Sequence, residues 1–308
     1  MKNHIFLGAA IATFFAFVLY SANLKRIDTS PINVSGQTTK LVKPSTSSKT
    51  SKNSASSSSE PQTPKSTKIQ VKVASGSDQK YAKALKTAMG DNESYQVYVV
   101  NGGGNKFANV YTSSISHNVG RVVQIYLLAT LYEQEKTGKL SSQTAIKITA
   151  SDKVKGDKLV QTGIMYGVQY LRQAMLKGSK SAANALLRKM GKKNVERIAK
   201  KLGAKHTVLT SGYAGKSTAQ DLANTMASFY HGKGIGTTQA QQVLTAMATA
   251  KNKPSLRKHL KGTVYAMGDS QAACALVRGS KQTYVVSFWT ENGNPGSSLG
   301  ASVNKLFQ

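Results

Sequence analysis

A strongly apolar helix is predicted at residues 119–136, and it constrains the fold more than any other segment. It begins just after Asn118, and six of the seven residues at 122–128 are apolar. A helix of this kind is usually buried inside a protein. We therefore expect this helix to lie at the centre of a domain, enclosed by the elements that precede and follow it.

Two predicted strands precede this helix and three follow it. The strands are 95–100, 107–111, 264–267, 272–277 and 284–289. The other predicted helices are 78–89, 165–190, 194–202, 217–231, 237–250 and 298–307. The simplest packing is an α+β fold, in which one antiparallel five-stranded sheet is flanked by helices and an all-helical subdomain is inserted between the early and late strands.

Three short segments contain the candidate functional residues of this chain. The first lies at the start of the central helix, the second before an Ala-Ala-Asn-containing helix, and the third on a late strand. Their residues are Asn118 and Arg121 in the first, Gly178, Ser179 and Lys180 in the second, and Ala266, Met267 and Gly268 in the third.

These segments and the order of the elements resemble class A β-lactamases and penicillin-recognising serine hydrolases. The resemblance covers residues 77–308. The family carries Ser-x-x-Lys at the start of the central helix, Ser-Asp-Asn before the next helix and Lys-Thr-Gly on the strand that lines the cleft. It implies a β-lactamase/transpeptidase-like fold and, for an intact site, hydrolysis by a serine nucleophile.

The first two motifs depart from the family pattern. Asn118 replaces the nucleophilic serine and has no hydroxyl. Arg121 replaces the lysine that helps to take up the proton, and a guanidinium stays protonated at physiological pH. Gly178 occupies the position of the serine that relays a proton, while Ser179 and Lys180 fill the rest of the motif.

The third motif keeps only its glycine, Gly268, because Ala266 and Met267 replace the lysine and threonine. The lysine is the cation that holds a substrate carboxylate in the family. The loop that should carry the deacylating glutamate, expected at 209–215, contains no carboxylate. If the chain is nevertheless an active serine hydrolase, Ser116 and Ser179 are the remaining candidate nucleophiles.

The N-terminal segment 1–24 is predicted to be a signal anchor or a signal peptide. An apolar run spans residues 5–20, and with Leu24 the segment is long enough to reach across a bilayer as a helix. Ala22 could precede a cleavage site, but Tyr20 is too large two positions earlier. We favour an uncleaved single-pass anchor with the domain outside the cytoplasm. Cleavage would make the protein secreted.

The segment 25–68 is predicted to be a disordered tether to the domain at 69–308. Residues 27–68 contain 12 Ser, 7 Thr and 6 Lys and no aromatic residue, so they cannot bury enough apolar surface to fold. The domain itself carries 33 Lys and Arg against 11 Asp and Glu, a net charge of +22. Such a charge attracts polyanions, although the lysines are scattered and no nucleic-acid-binding motif is present.

No cofactor and no metal ion are predicted. The single cysteine, Cys274, is expected to be a buried residue on a strand. The five histidines are dispersed without the spacing of metal ligands.

The altered motifs predict a non-catalytic cell-envelope binding module on a hydrolase scaffold. Arg121 and Lys180 are expected to lie close together in the cleft and to bind anionic ligands such as cell-wall peptides or polymers. Two alternatives remain open: an active hydrolase of the β-lactamase or D-alanyl-D-alanine carboxypeptidase class, and general polyanion adhesion through the basic surface.

Overall fold

The computed structural model describes residues 69–91, 93–251 and 253–308. The predicted anchor at 1–24 and the predicted tether at 25–68 lie outside these residues. Within the described residues, no helix combines the length and the apolar character needed to cross a membrane.

The described residues form eleven strands and eight α-helices. The strands are β1 (Lys72–Val73), β2 (Tyr95–Asn101), β3 (Phe107–Tyr111), β4 (His117–Asn118), β5 (Ala145–Lys147), β6 (Met165–Gly167), β7 (Val208–Ser211), β8 (Ala214–Ser217), β9 (Thr263–Gly268), β10 (Ala272–Arg278) and β11 (Thr283–Thr290). The helices are α1 (Gln79–Met89), α2 (Gln124–Lys136), α3 (Val168–Leu176), α4 (Lys180–Met190), α5 (Lys192–Lys201), α6 (Ala219–His231), α7 (Thr237–Thr249) and α8 (Gly296–Phe307).

The main sheet is antiparallel, with the strand order β1-β3-β2-β11-β10-β9. This confirms the predicted α+β class, and the five predicted strands form the sheet. A sixth strand, β1, is added at its edge through the pairs Lys72↔Tyr111 and Val73↔Val110. Two residues are too few to produce an alternating pattern, so this strand could not be predicted from the sequence.

Helices cover both faces of the sheet. Helices α1 and α8 pack on one face, and α6 packs on the other. The side chains of β2 alternate accordingly: Val97 and Val99 belong to the core under α1 and α8, while Tyr98 and Val100 face the helical region. A strand with both faces buried is apolar throughout, as residues 97–100 are.

The central helix is buried as predicted, but its first turn differs. Residues 120–123 form a 3₁₀ turn, and the α-helix begins at Gln124. Every residue from Val122 to Tyr132 is buried, and α2 is enclosed by α4, α5 and α7. The tighter turn follows from Gly120, which has a φ of 51° and whose amide donates to the side chain of Asn118.

The inserted region is not purely helical, in contrast to the prediction. It contains a two-stranded sheet, β5-β6, and a three-stranded sheet, β4-β8-β7. The stretch 209–215, expected to be a loop, is most of the β7–β8 hairpin. These strands have two to four residues, and β4 pairs with the distant β8, so their stability comes from tertiary contacts that local patterns do not show.

The predicted helix 165–190 is divided in the same region. Residues 165–167 form β6, and α3 and α4 are separated at Gly178. Gly178 has a φ of 107°, which is incompatible with a helix and with most side chains. Ser179 then caps α4 by accepting a hydrogen bond from the amide of Ala182 at 3.0 Å.

A candidate anion-binding cleft

The segments that carry the altered motifs meet at one cavity of about 350 Å³. The start of the central helix, the junction between α3 and α4, the β7–β8 hairpin and the end of β9 contribute its walls. The lining residues are Asn118, Gly120, Arg121, Gln124, Gly178, Lys180, Tyr213, Ala214 and Asp269.

Asn118 is exposed at the mouth of this cavity and is used as a local cap. It ends β4, where it pairs with Lys216 of β8. Its Oδ1 accepts a hydrogen bond from the amide of Gly120 at 3.0 Å. The amide of Val119 donates to the carbonyl of Gly215 at 3.0 Å. The backbone donors after Asn118 are therefore occupied by the protein itself.

Arg121 extends into the wall of the cavity, and its guanidinium is incompletely paired. Its Nε and Nη2 atoms are buried and have no hydrogen-bond partner in the described part of the chain. Burial lowers the pKa of Arg121, and the nearby carboxylate of Asp269 opposes that shift. The group remains a cation, and two of its buried donor atoms are left without a partner among the described residues.

Gln124 lies one helical turn from Arg121 and shows the same lack of a partner. Its side chain is 2% exposed, and its buried Oε1 accepts no hydrogen bond from the described residues. A buried amide oxygen without a donor costs free energy unless a ligand or water satisfies it. Arg121 and Gln124 therefore both line this cavity, and each keeps buried polar atoms that have no partner among the described residues.

Asp269 is a cleft residue that the sequence analysis did not select. Its Oδ1 accepts from the amides of Gln271 and Ala272, at 3.0 and 3.1 Å. Its Oδ2 lies so close to Gly120 that a Cβ there would be 2.9 Å away. Carboxylates are rare in this basic domain. The position of Asp269 directly after Gly268 is the sequence feature that could have identified it as a cleft residue.

Lys180 lines the same cavity from the first position of α4. Its Nζ lies 5.0 Å from the ring centroid of Tyr213, a distance suited to a cation–π contact. The side chain is exposed. Arg121 and Lys180 therefore share one cavity, and their role in ligand binding stays a prediction.

Both remaining candidate nucleophiles are committed to structural hydrogen bonds. Ser179 is 1% exposed, and its hydroxyl donates to Oδ2 of Asp157 at 2.7 Å. The hydroxyl of Ser116 donates to the carbonyl of His206 at 2.8 Å. Neither hydroxyl has a neutral histidine or lysine as its hydrogen-bond partner, which a serine nucleophile requires.

The third motif presents no cation to the cleft. Ala266 and Met267 are both buried in the core, on opposite faces of β9. Gly268 has a φ of 137°, and a Cβ there would lie 2.2 Å from the carbonyl oxygen of Ala272. Gly268 is thus required by the tight β9–β10 turn. Ala266 and Met267 pack in the hydrophobic core.

The hairpin β7–β8 closes the cavity on the side where the family glutamate was expected. Its tip lies directly on α4, since the amide of Gly212 donates to Oδ1 of Asn184 at 3.0 Å. Asn184 also donates to the carbonyl of Asp152 at 3.1 Å. Tyr213 is the side chain that this tip contributes to the cavity, and sequence patterns gave no signal for it.

The arrangement offers two cations, an amide, the carboxylate of Asp269 and no activated nucleophile. Arg121 and Lys180 can hold an anionic group, and Gln124 can pair with a neighbouring donor or acceptor. Within the described residues, no group of His, Cys, Asp and Glu side chains is placed to hold a metal ion. Cys274 lies buried on β10, as expected, where burial raises the pKa of its thiol to about 12.

Comparison with known proteins identifies one family. The model of the beta-lactamase enzyme family matches residues 80–306. No curated protein sequence matches the chain.

Solved structures share the fold at low sequence identity. The beta-lactamase from Sphaerobacter thermophilus is 16% identical, with a TM-score of 0.62 over 73% of this chain and 94% of that one. PBP-A is 12% identical, with a TM-score of 0.63 over 74% and 95%. A variant of the class A beta-lactamase of the last common ancestor of Gram-negative bacteria is 17% identical, with a TM-score of 0.60 over 74% and 98%.

Proposed function

The chain belongs to the beta-lactamase enzyme family, and from that premise we propose that it is a non-catalytic member that binds anionic ligands of the cell envelope. The ligand occupies the cavity at Arg121 and Lys180. In this proposal the N-terminal segment 1–24 anchors the chain in the cell membrane, and the segment 25–68 tethers the domain on the extracytoplasmic side.

The observation that carries this proposal is the incomplete pairing of two side chains that line the cavity. The buried donors of Arg121 and the buried acceptor of Gln124 have no partner among the described residues. Because burying an unpaired guanidinium is costly, the arrangement is explained by a ligand that supplies the missing anion. Carboxylates and phosphates match the fork of an arginine side chain, and both groups occur in cell-wall peptides and polymers.

The chemistry of the family argues against hydrolysis at this site. Covalent catalysis needs a nucleophile and a base that act together, and loss of either removes nearly all of the rate enhancement. Asn118 and Arg121 supply neither function. The conformation of Gly178 disfavours any side chain there, so a relay serine could not be accommodated at that position without strain.

Two measurements on the full chain test the proposal. The first is intact-mass spectrometry after incubation with penicillins and cephalosporins, together with a chromogenic hydrolysis assay. PBP-A is a suitable positive control, because one of its variants has been captured as an acyl-enzyme with penicillin G. We expect no covalent adduct and no turnover. An adduct would show that the chain is an active hydrolase, and peptide mapping would identify its nucleophile.

The second measurement is the binding of purified cell-wall fragments to the double variant Arg121→Gln/Lys180→Gln. We expect at least about tenfold weaker binding, the loss of roughly one charge-assisted hydrogen bond. The matched control is Lys193→Gln/Arg197→Gln, which removes the same charge from the exposed face of α5. Equal weakening in both variants would favour general polyanion adhesion, and unchanged binding in both would exclude the cleft as the site.

A further inference from the structure

A second cavity lies beside the cleft and shares part of its wall. It has a volume of about 360 Å³ and is formed by residues 154–159 and 177–180. Gly178 and Lys180 line both cavities. The two cavities therefore adjoin at the start of α4.

The second cavity is strongly cationic. Four lysines line it, Lys155, Lys158, Lys177 and Lys180. None of them forms an ion pair with any carboxylate that the structure describes. Clustering four ammonium groups without counter-ions is unfavourable unless solvent salt or a ligand neutralises them.

The one carboxylate in this cavity is turned toward the protein. Oδ2 of Asp157 accepts from the hydroxyl of Ser179 at 2.7 Å and from the amide of Ser181 at 2.8 Å. Its Oδ1 accepts from the amide of Leu159 at 3.0 Å. Burial alone would raise the pKa of Asp157, but these hydrogen bonds lower it overall. Asp157 thus fastens the loop to the start of α4 and forms no ion pair with the lysines.

Hydrogen bonds of Lys153 and Val154 fix the shape of the loop that carries Lys155 and Lys158. Nζ of Lys153 donates to the carbonyls of Asp157 and Val160. The amide of Val154 donates to the hydroxyl of Ser181 at 2.9 Å. Lys153 thereby closes the loop and Val154 attaches it to α4, so Lys155 and Lys158 project from a defined backbone.

From the shared wall and the charge of the two adjoining cavities, we propose that they form one elongated site for a linear polyanion. This inference rests on the proposed function of the cleft and names its ligand class. One anionic group binds at Arg121, and the following groups of the same chain bind among Lys155, Lys158 and Lys177. A single chain that engages both cavities gains affinity because the second contact is intramolecular.

The probes are pyrophosphate and long-chain polyphosphate, titrated against the full chain by calorimetry at fixed ionic strength. The triple variant Lys155→Gln/Lys158→Gln/Lys177→Gln leaves the cleft residues in place. We expect it to bind long polyphosphate at least about tenfold more weakly than the unmodified chain, with pyrophosphate binding changed less than about threefold.

A matched triple variant, Lys193→Gln/Lys200→Gln/Lys201→Gln, removes the same charge from exposed positions on α5. We expect it to change the affinity for long polyphosphate by less than about threefold. Equal losses in the two triple variants would overturn the inference in favour of general charge attraction. Unchanged long-chain binding in the first triple variant would show that the cavities are not one site.

The same titration separates this inference from the proposed function. Arg121→Gln/Lys180→Gln should weaken both probes if the cleft binds anions. If that double variant leaves both probes unaffected while the first triple variant weakens the long chain, the cleft proposal fails and only the lysine cavity binds. If it weakens pyrophosphate while the first triple variant has no effect, the cleft proposal stands and the elongated site fails.

Discussion

Arg121 and Arg188 show how the same side chain serves two purposes in one domain. Arg188 donates to both carboxylate oxygens of the buried Asp152, from Nε at 3.0 Å and from Nη2 at 2.9 Å. Burial alone would raise the pKa of Asp152, but the hydrogen bonds from Arg188 and Thr149 lower it overall. Arg121 has no such partner at Nε and Nη2 among the described residues. Arg188 therefore stabilises the fold, whereas Arg121 is the arginine to which we assign ligand binding.

This contrast predicts opposite effects on stability. Arg188→Met should lower the free energy of unfolding by about 2–3 kcal/mol, because it leaves the carboxylate of Asp152 buried without its cation. Arg121→Met should leave stability unchanged or raise it by up to about 1 kcal/mol, because it removes an unpaired buried charge. Urea unfolding at pH 7 measures both. A large loss in Arg121→Met would mean that its guanidinium supports the fold.

The protonation of His117 is the subject of a second prediction, and the fluorescence of the neighbouring tryptophan can report it. Its ring stacks on Trp289, the only tryptophan, with centroids 3.6 Å apart. Burial lowers the pKa of His117 below its ordinary 6.5, Glu291 opposes the shift, and Lys216 adds to it. The unfolded chain therefore takes up a proton at His117 at a higher pH than the folded chain does. The free energy of unfolding should fall as the pH drops below 6.5 and stop falling below the pKa of His117 in the folded state.

Tryptophan fluorescence against pH measures this titration directly. We expect an intensity change with a midpoint below 6.5, since an imidazolium against the indole alters its emission. His117→Gln should abolish the transition, whereas His231→Gln, at an exposed position, should retain it. A midpoint at or above 6.5 in the unmodified chain would contradict the stated direction of the shift.

At the scale of single elements, the β7–β8 hairpin determines the shape of the cleft. Its tip is pressed onto α4, and its strand β8 pairs with β4, where Asn118 lies. The contact is possible because residue 212 has no side chain. A Cβ on Gly212 would lie 2.2 Å from the carbonyl carbon of Ala183, which is far inside van der Waals contact.

Gly212→Ala should therefore displace the hairpin from α4. We expect a loss of about 2–4 kcal/mol in stability, comparable to severe overpacking, and weaker ligand binding at the cavity. The control is Gly103→Ala in the exposed β2–β3 turn, where the nearest atom to an added Cβ is 3.5 Å away. Thermal unfolding distinguishes the two variants. Similar melting temperatures for both would show that the contact at residue 212 can relax.

For the whole molecule, the dominant feature is the net charge of +22 over residues 69–308. Only four ion pairs are present among the described residues, and one of them involves a histidine. Most of the basic side chains therefore repel one another without local compensation. This repulsion opposes folding and favours polyanions, so salt should act on stability and on binding in opposite directions.

Raising NaCl from low to moderate concentration should increase the melting temperature of the chain by about 2–5 °C through screening. The same change should weaken polyphosphate binding. Differential scanning fluorimetry and calorimetry measure the two effects on one sample. A melting temperature that stays constant or falls with salt would show that charge repulsion does not limit stability.

The sequence by itself determined the fold class, the central buried helix and the identities of the altered motif residues. The fold class and the central helix follow from apolar periodicity, and the altered motif residues are read from three short segments. Both are local properties of the chain. The five predicted sheet strands and most of the helices follow from that periodicity. The absence of a serine at residue 118 and of a free base at residue 121 is a fact of composition that no packing can change.

Only the tertiary structure decided what surrounds those residues. The placement of the hairpin at 208–217 and the pairing of the edge strand β1 depend on partners tens of residues away, so no local pattern predicts them. The same is true of the unpaired atoms of Arg121 and Gln124 and of the lysine cavity beside them. Whether a charged side chain is paired, buried or free depends on which distant segments fold against it, and that information exists only once the chain is packed.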